Sequence, residues 1–330
     1  MNSPPGAARG PVDDLAPDIA AVEAARSRIA GQVWRTPLER SAWLSEWCGA
    51  DVHLKLEGWQ TTGSFKLRGA FNAVASMTPD ERARGIVTAS AGNHGQAVAL
   101  AASRHGARAM VFVPRTAPDA KKSRIRSFGA VLDESAANYD DAEDAAMVHA
   151  ARVGAMFVHA FSDDAVVAGQ GTVGLEILED LPAVRTIVVP VGGGGLIAGI
   201  ATVAKPAGKR VIGVQSERTP NLHAALAAGR LVDCPIVPTL ADGLAGRTDE
   251  RSLSRCQRLV DSVHLVAEAS IGPAIHDLFH RHGVVAEGAG AVGVAALLEQ
   301  SIPMEGPVAV VISGRNLDAG TFSRWLGATR

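Results

Sequence analysis

Apolar and polar side chains alternate through Val52-His53-Leu54-Lys55-Leu56-Glu57, which predicts a strand. The pattern then changes to helical spacing at Ala70, Phe71, Val74 and Met77 and ends near Pro79. Upstream, Ile19, Val22, Ala25 and Ile29 keep the same spacing between Asp18 and Gly31, and Thr36-Pro37-Leu38 opens an extended segment. Beyond the second helix one unit recurs: a short β-rich run, a turn and an amphipathic helix. The runs are 85–89, 109–113, 130–133, 156–159, 186–191, 210–215, 262–266 and 308–312. The stretches between them are long enough for helical crossovers, so the pattern predicts an α/β chain with parallel, doubly wound open sheets. No fixed period recurs, which excludes a solenoid.

Composition adds bounds. A chain of 330 residues can hold two domains with substantial cores. With 47% hydrophobic residues and a net charge of -2, neither disorder nor a basic field for nucleic acid is indicated. No apolar run is long enough to span a bilayer, and Met1 to Gly6 lacks a signal-peptide core, so no membrane partner and a cytoplasmic location are expected. Cys48, Cys234 and Cys256 are far apart and form no metal or redox spacing; they read as reduced structural thiols. Residues 1–16, rich in Pro, Gly and Ala, read as a disordered tail.

Candidate chemistry begins at Ser64-Phe65-Lys66-Leu67-Arg68-Gly69-Ala70, which places Lys66 in the first turn of a helix capped by Ser64 or Gly63. The helix dipole and burial would both disfavour its ammonium, leaving a nucleophilic amine suited to Schiff-base chemistry. A solvated surface lysine is the alternative. Three further loops follow predicted strands, where open parallel sheets bind ligands. Ser90-Ala91-Gly92-Asn93-His94-Gly95 would offer helix N-terminal amides to an anion, or would simply cap a turn. Gly192-Gly193-Gly194-Gly195 lets several backbone N–H groups converge on a phosphate, and no Gly-Lys-Ser/Thr follows to make it a P-loop. Gly193, Gly195 and Ala198 also fit a dinucleotide pattern, but the next strand ends at Gln215 where an acid is expected. Ser313-Gly314-Arg315-Asn316 closes the last strand.

In this order, the lysine segment, the Ser-Ala-Gly-Asn-His loop, the tetraglycine and the terminal serine resemble the pyridoxal-phosphate enzymes of the tryptophan-synthase-β fold (fold type II). More narrowly, the chain is similar to the threonine/serine dehydratase and serine racemase family, from about residue 20 onward. That resemblance implies a large cofactor-binding domain of residues 17–80 plus 161–330 and a small domain of 81–160. It implies pyridoxal 5'-phosphate on Lys66 as an internal aldimine, Phe65 against the pyridine face and Asn93 on the ring's phenolic oxygen. Gly192, Gly193, Gly194, Gly195 and the Leu196 amide would hold the phosphate, and Ser313 the pyridine nitrogen. Ser90, Ala91, Gly92 and His94 would take the substrate carboxylate, with Glu287 and Gly243 lining the pocket. The implied reaction removes water and then ammonia from a β-hydroxy amino acid such as L-threonine or L-serine, and the implied assembly is a homodimer.

Several positions depart from the family pattern. Racemases of the family carry a serine where this chain has Ala91, and a methyl group cannot move a proton, so dehydration is expected over serine or aspartate racemisation. A β-replacing synthase would carry threonine in place of His94. Tyr139-Asp140-Asp141-Ala142 resembles the dehydratases, though Tyr139 would also suit ordinary packing. Gln215 and Asn221 stand where carboxylates usually bind a divalent cation, so no metal is assigned. Arg315 replaces a second glycine and would either face solvent or bind a second substrate anion. The Ser-Gly-Arg-Asn ending is also similar to dehydratase-like enzymes of hydroxyectoine utilisation. Too few residues follow Trp325 for the regulatory domain of biosynthetic threonine dehydratases, so feedback by isoleucine is not expected. From another class, a nicotinamide oxidoreductase would need only a sheet and the glycine turn.

Overall fold

Each of the eight β-rich runs forms a strand in the computed structural model, which describes residues 17–235 and 237–327. The tail expected over 1–16 lies outside the described residues. In chain order the strands are β1 (Leu38–Arg40), β2 (Val52–Leu56), β3 (Ile86–Ala89), β4 (Ala109–Phe112), β5 (Val131–Asp133), β6 (Met156–Phe157), β7 (Thr186–Pro190), β8 (Arg210–Ser216), β9 (Ser262–Val266) and β10 (Val308–Ile312). They make a six-stranded sheet, ordered β1-β2-β10-β7-β8-β9, and a four-stranded sheet, ordered β5-β4-β3-β6. Every pairing is parallel except the edge pair β1 and β2.

Helices cover both faces of each sheet, as a parallel sheet requires. Along β10, Val308, Val310 and Ile312 join Leu54 and Val188 under the helices Glu268–His282 and Gly288–Leu298. Ala309 and Val311 face the opposite way, with Ile187 and Val189, under the helices Asp164–Asp180 and Gly195–Ala204. The smaller sheet is enclosed by the helices Asn93–Arg104 and Asp119–Ser127 on one side and Tyr139–Val153 on the other. Among the described residues no helix is long and apolar enough to cross a membrane.

The strand order positions the site. β10 lies between β2 and β7 and runs parallel to both, with Ile312 level with Leu56. The three carboxyl ends therefore sit side by side, and from them leave the segment carrying Lys66, the loop at Ser313 and the tetraglycine turn. The helix Lys66–Ser76 does not begin as the sequence suggested. Its N-terminal flank is Phe65, without a side-chain cap, because Ser64 pairs with Gly314 in a β-bridge and the Phe65 amide donates to the Ser313 carbonyl (3.0 Å). Tertiary pairing with the loop after β10 has replaced the local cap. Gly69 and Gly169 let this helix cross Asp164–Asp180 at close range: a Cβ on Gly69 would lie 2.7 Å from the Val166 carbonyl oxygen.

Beneath this crossing is a buried quartet of charges. Arg68 is fully buried and forks onto Glu57, with Nε to Oε2 at 2.8 Å and Nη2 to Oε1 at 2.7 Å. Its Nη1 and Nη2 also reach Glu176 Oε1 (2.7 Å) and Oε2 (2.8 Å). Lys55 donates to Glu176 Oε2 (2.6 Å) and to the Thr36 carbonyl (2.7 Å), and the Thr36 hydroxyl donates to Glu57 (2.5 Å). Two cations and two carboxylates sum to zero. Burial opposes ionisation of Glu57, but the Arg68 guanidinium, with Lys55 and Thr36, outweighs it and holds the carboxyl below its ordinary range.

Removing one member strands the others. The Arg68→Met variant leaves two buried carboxylates without their shared partner and is expected to lose about 3–5 kcal/mol of stability, read from urea unfolding. A loss under about 1 kcal/mol would show that the cluster can be rewired by water.

Candidate active site

A cavity of about 900 Å³ opens where the carboxyl ends of the two sheets meet. Lys66 lies on its wall. Its Nζ donates to the Ala160 carbonyl (2.7 Å) and stands 5.3 Å from the centre of the Phe65 ring. No carboxylate is paired with it among the described residues, and burial lowers the ammonium from its ordinary value of 10.5 to about 8. The amine is thus partly neutral near neutrality, which a surface lysine would not be.

The tetraglycine turn faces the same cavity through Gly192, Gly193, Gly194, Gly195 and Leu196. Gly194 adopts φ +101°, and a Cβ on Gly193 would lie 2.5 Å from the Phe161 ring, so neither position admits a side chain. The turn leads into the helix Gly195–Ala204, whose first amides have no acceptor within the helix. Donors without side-chain cover form a cradle for an anion. Ser313, almost fully buried, lines the wall between the lysine and the glycines.

Across the cavity is the loop Ser90, Ala91, Gly92, Asn93 and His94, which enters the helix Asn93–Arg104. The His94 ring is buried, with Nε2 3.1 Å from the Val158 carbonyl. Burial, and Lys66 to a lesser degree, depresses its pKa to about 3, so the ring stays neutral and Nε2 carries the proton that the carbonyl accepts. That leaves the main-chain amide of His94, rather than its side chain, as its donor to an anion. Asn93 donates from Nδ2 to Glu287 Oε1 (2.7 Å) and accepts at Oδ1 from Asn316 (2.6 Å). Burial, with Asp242 adding to it, raises the Glu287 carboxyl to about 7 despite the Asn93 bond. Gly243 is adjacent, 3.9 Å from the Glu287 Oε1 when measured from where a Cβ would be.

Fifteen of the sixteen candidate site residues therefore share one cavity. Arg315 does not: it is exposed, lies outside the cavity lining, and stacks its Cβ and Cγ over Gly58 while its backbone amide donates to Gly63 (2.9 Å). It follows the antiparallel bridge of Ser64 and Gly314, and its exposure fits the solvent-facing alternative rather than the substrate-anion role. Tyr139, the first residue of its helix, lines the cavity, and its hydroxyl lies 3.5 Å from Glu143. Gln215 Oε1 accepts from the His223 amide (2.8 Å) and Asn221 Nδ2 donates to the Gly246 carbonyl (2.7 Å), while the buried Gln215 Nε2 is without a partner among the described residues. Lys121, Arg124, Asp242 and Asn316 line the cavity without having been singled out for it. Asn316 was within reach of sequence reasoning, because it ends the loop of Ser313; the others had no local signal.

Comparison with known proteins agrees with this geometry. The family described as "Pyridoxal-phosphate dependent enzyme" matches residues 29–314. The chain belongs to that family. It is 45% identical over 306 residues to the L-threonine ammonia-lyase of Thermotoga maritima, covering 92% of this chain and 76% of that protein. It is 39% identical to the catabolic L-threonine dehydratase of Escherichia coli K12, over 95% of this chain and 97% of that protein. Among solved structures, maize serine racemase superposes with a TM-score of 0.90 at 33% identity, covering 94% of this chain and 97% of that one. The threonine deaminase of T.th. gives 0.86 at 35%, covering 92% and 99%. Family membership sets aside the nicotinamide alternative, and the site fits the family's cofactor: an amine for its aldehyde, a glycine cradle for its phosphate and a buried serine between them.

The lowered Lys66 value has a kinetic reading. Capture of pyridoxal phosphate by cofactor-free protein requires the neutral amine, so its rate should rise with pH to a midpoint near 8. Stopped-flow absorbance between pH 6 and 10 would measure it on about a half-unit grid, and a midpoint near that of free lysine would contradict the burial argument.

Proposed function

We propose that this chain is a pyridoxal-phosphate-dependent ammonia-lyase that converts L-threonine, and L-serine as the smaller analogue, to a 2-oxo acid and ammonia. The observation that carries this reading is a desolvated Lys66 amine on the wall of a cavity that also contains the tetraglycine cradle and Ser313. The relatives named above, similar over nearly the whole chain, support the same reaction class.

When bound, pyridoxal phosphate supplies an electron sink for negative charge developing at the substrate α-carbon. On this reading Lys66 would hold the cofactor aldehyde, and the amides of Gly192 to Leu196 would hold its phosphate at the start of the helix Gly195–Ala204. Phe65 would lie beside the ring and Asn93 would donate to the phenolic oxygen, with Glu287 and Gly243 closing that side. Ser313 would be a neutral partner for the pyridine nitrogen, drawing charge into the ring less strongly than a carboxylate would. Ser90, Ala91, Gly92 and the His94 amide receive the substrate carboxylate. Lys66 Nζ, once a substrate amino group has taken its place, would take the α-proton as general base. The proton held on Lys66 would then be available to the departing β-hydroxyl, which leaves as water, and the enamine product would hydrolyse to 2-oxo acid and ammonia. Ala91, on the cavity wall, offers no proton to the other face of the α-carbon, which favours elimination over racemisation.

The deciding experiment supplies L-threonine and L-serine to the cofactor-loaded protein and assays 2-oxo acid, ammonia and the enantiomer of the remaining substrate. Oxo acid and ammonia in equal amounts are expected, falling at least about 1000-fold in Lys66→Ala, as loss of both a general base and a covalent anchor implies. Borohydride reduction should place a pyridoxyl label on Lys66 in the unsubstituted protein alone. Racemised substrate without oxo acid would overturn the assignment.

A further inference from the structure

A chain of four hydrogen-bonding side chains crosses three times between the elements around the two sheets. Arg124, on the helix Asp119–Ser127 beside the small sheet, donates from Nη1 to Asn316 Oδ1 (2.7 Å) in the loop after β10. Asn316 Nδ2 returns to Asn93 Oδ1 (2.6 Å), and Asn93 Nδ2 goes on to Glu287 Oε1 (2.7 Å), at the start of the helix Gly288–Leu298. All four residues line the cavity. An amide can be turned either way, so its orientation is set by neighbours that have no choice. A guanidinium can only donate, and a backbone carbonyl can only accept. Arg124 therefore fixes Asn316 Oδ1, and the Thr62 carbonyl, 2.8 Å from Asn316 Nδ2, fixes the other end. Glu287 cannot do this for Asn93, because a carboxyl that gains a proton becomes a donor and would tolerate the reversed amide.

We propose that Arg124 is a positioning residue for the cofactor: through Asn316 it holds the Asn93 amide with its NH2 group, not its carbonyl, presented to the ring. One amide hydrogen goes to Glu287, and the second remains for the phenolic oxygen. Among the described residues Arg124 has no carboxylate partner, whereas Arg126 on the same helix pairs with Glu134. One turn earlier, Lys121 binds Asp242 (2.6 Å), so this helix reaches the large-sheet loops at two points. The sequence offers no sign of the relay, since its members are four separate positions joined only by the fold. The inference rests on the cofactor-binding reading above and goes beyond it by assigning a role to a side chain remote from the reacting atoms.

The test compares the full chain with Arg124→Met, Arg124→Lys and the control Arg126→Met, loaded with pyridoxal phosphate. Three quantities are read: cofactor Kd by equilibrium dialysis, the visible absorption maximum of the loaded protein, and kcat and KM for L-threonine. Arg124→Met should raise the cofactor Kd about 3- to 10-fold, the worth of one well-placed hydrogen bond, and shift the band. It should lower kcat with little change in KM, while Arg124→Lys, which keeps a donor, recovers part of the loss. The control should match the unsubstituted protein. An unchanged Kd and band in Arg124→Met, an effect on KM alone, or an equal shift in Arg126→Met would each overturn the relay. A missing band in the unsubstituted protein would overturn the cofactor reading together with the relay; a normal band that ignores position 124 overturns the relay only.

Discussion

The fork between Arg68 and two buried carboxylates is the constraint on which the site depends. Arg68 follows Lys66 by two residues, on the same helical turn, and its partners come from the segment after β2 and from the helix Asp164–Asp180. Ionised groups in a dry interior are tolerated only when paired and fully hydrogen-bonded, which fixes all three elements together. The helix that presents Lys66 thus cannot rotate or slide without stranding a charge. The same low-dielectric surroundings that make the quartet intolerant of loss also strip solvation from the nearby amine.

From that anchor the site is assembled by strand order. Parallel sheets place their loops at one end, and here β10 brings the lysine segment and the phosphate cradle to either side of Ser313. The smaller sheet closes the opposite wall with the Ser90 to His94 loop. On this wall the His94 ring is held as a neutral imidazole and Asn93 is an amide, so neither sets a charge of its own beside an anionic ligand.

Much of this was legible in the sequence, because it rests on local rules. Each β-rich run became a strand, and the four loops that suggested chemistry lie at strand ends around one cavity. What the sequence hid depends on distant partners. Lys55 and Arg68 are polar positions in patterns that otherwise read as solvated, and their burial follows only from Glu57 and Glu176 being folded against them. The start of the lysine helix was misread for the same reason: Ser64 fits a capping preference, yet it is occupied by the bridge to Gly314. Arg315 suggested a contact with a second substrate anion because it stands where the family carries a glycine, but a residue's direction after a bridge is a matter of backbone geometry. Arg124 stands in a charged helix with no local pattern to separate it from Arg126.

The central placement of β10 also bears on how the polypeptide reaches its working form. β2 and β7 do not pair with each other; each pairs with a strand made much later in the chain. The lysine segment and the glycine turn both precede β10 in the chain, and β10 adds the wall between them that carries Ser313. Completion of the receptor thus waits on the last strand of the sequence, which seats between two neighbours that precede it by more than a hundred residues.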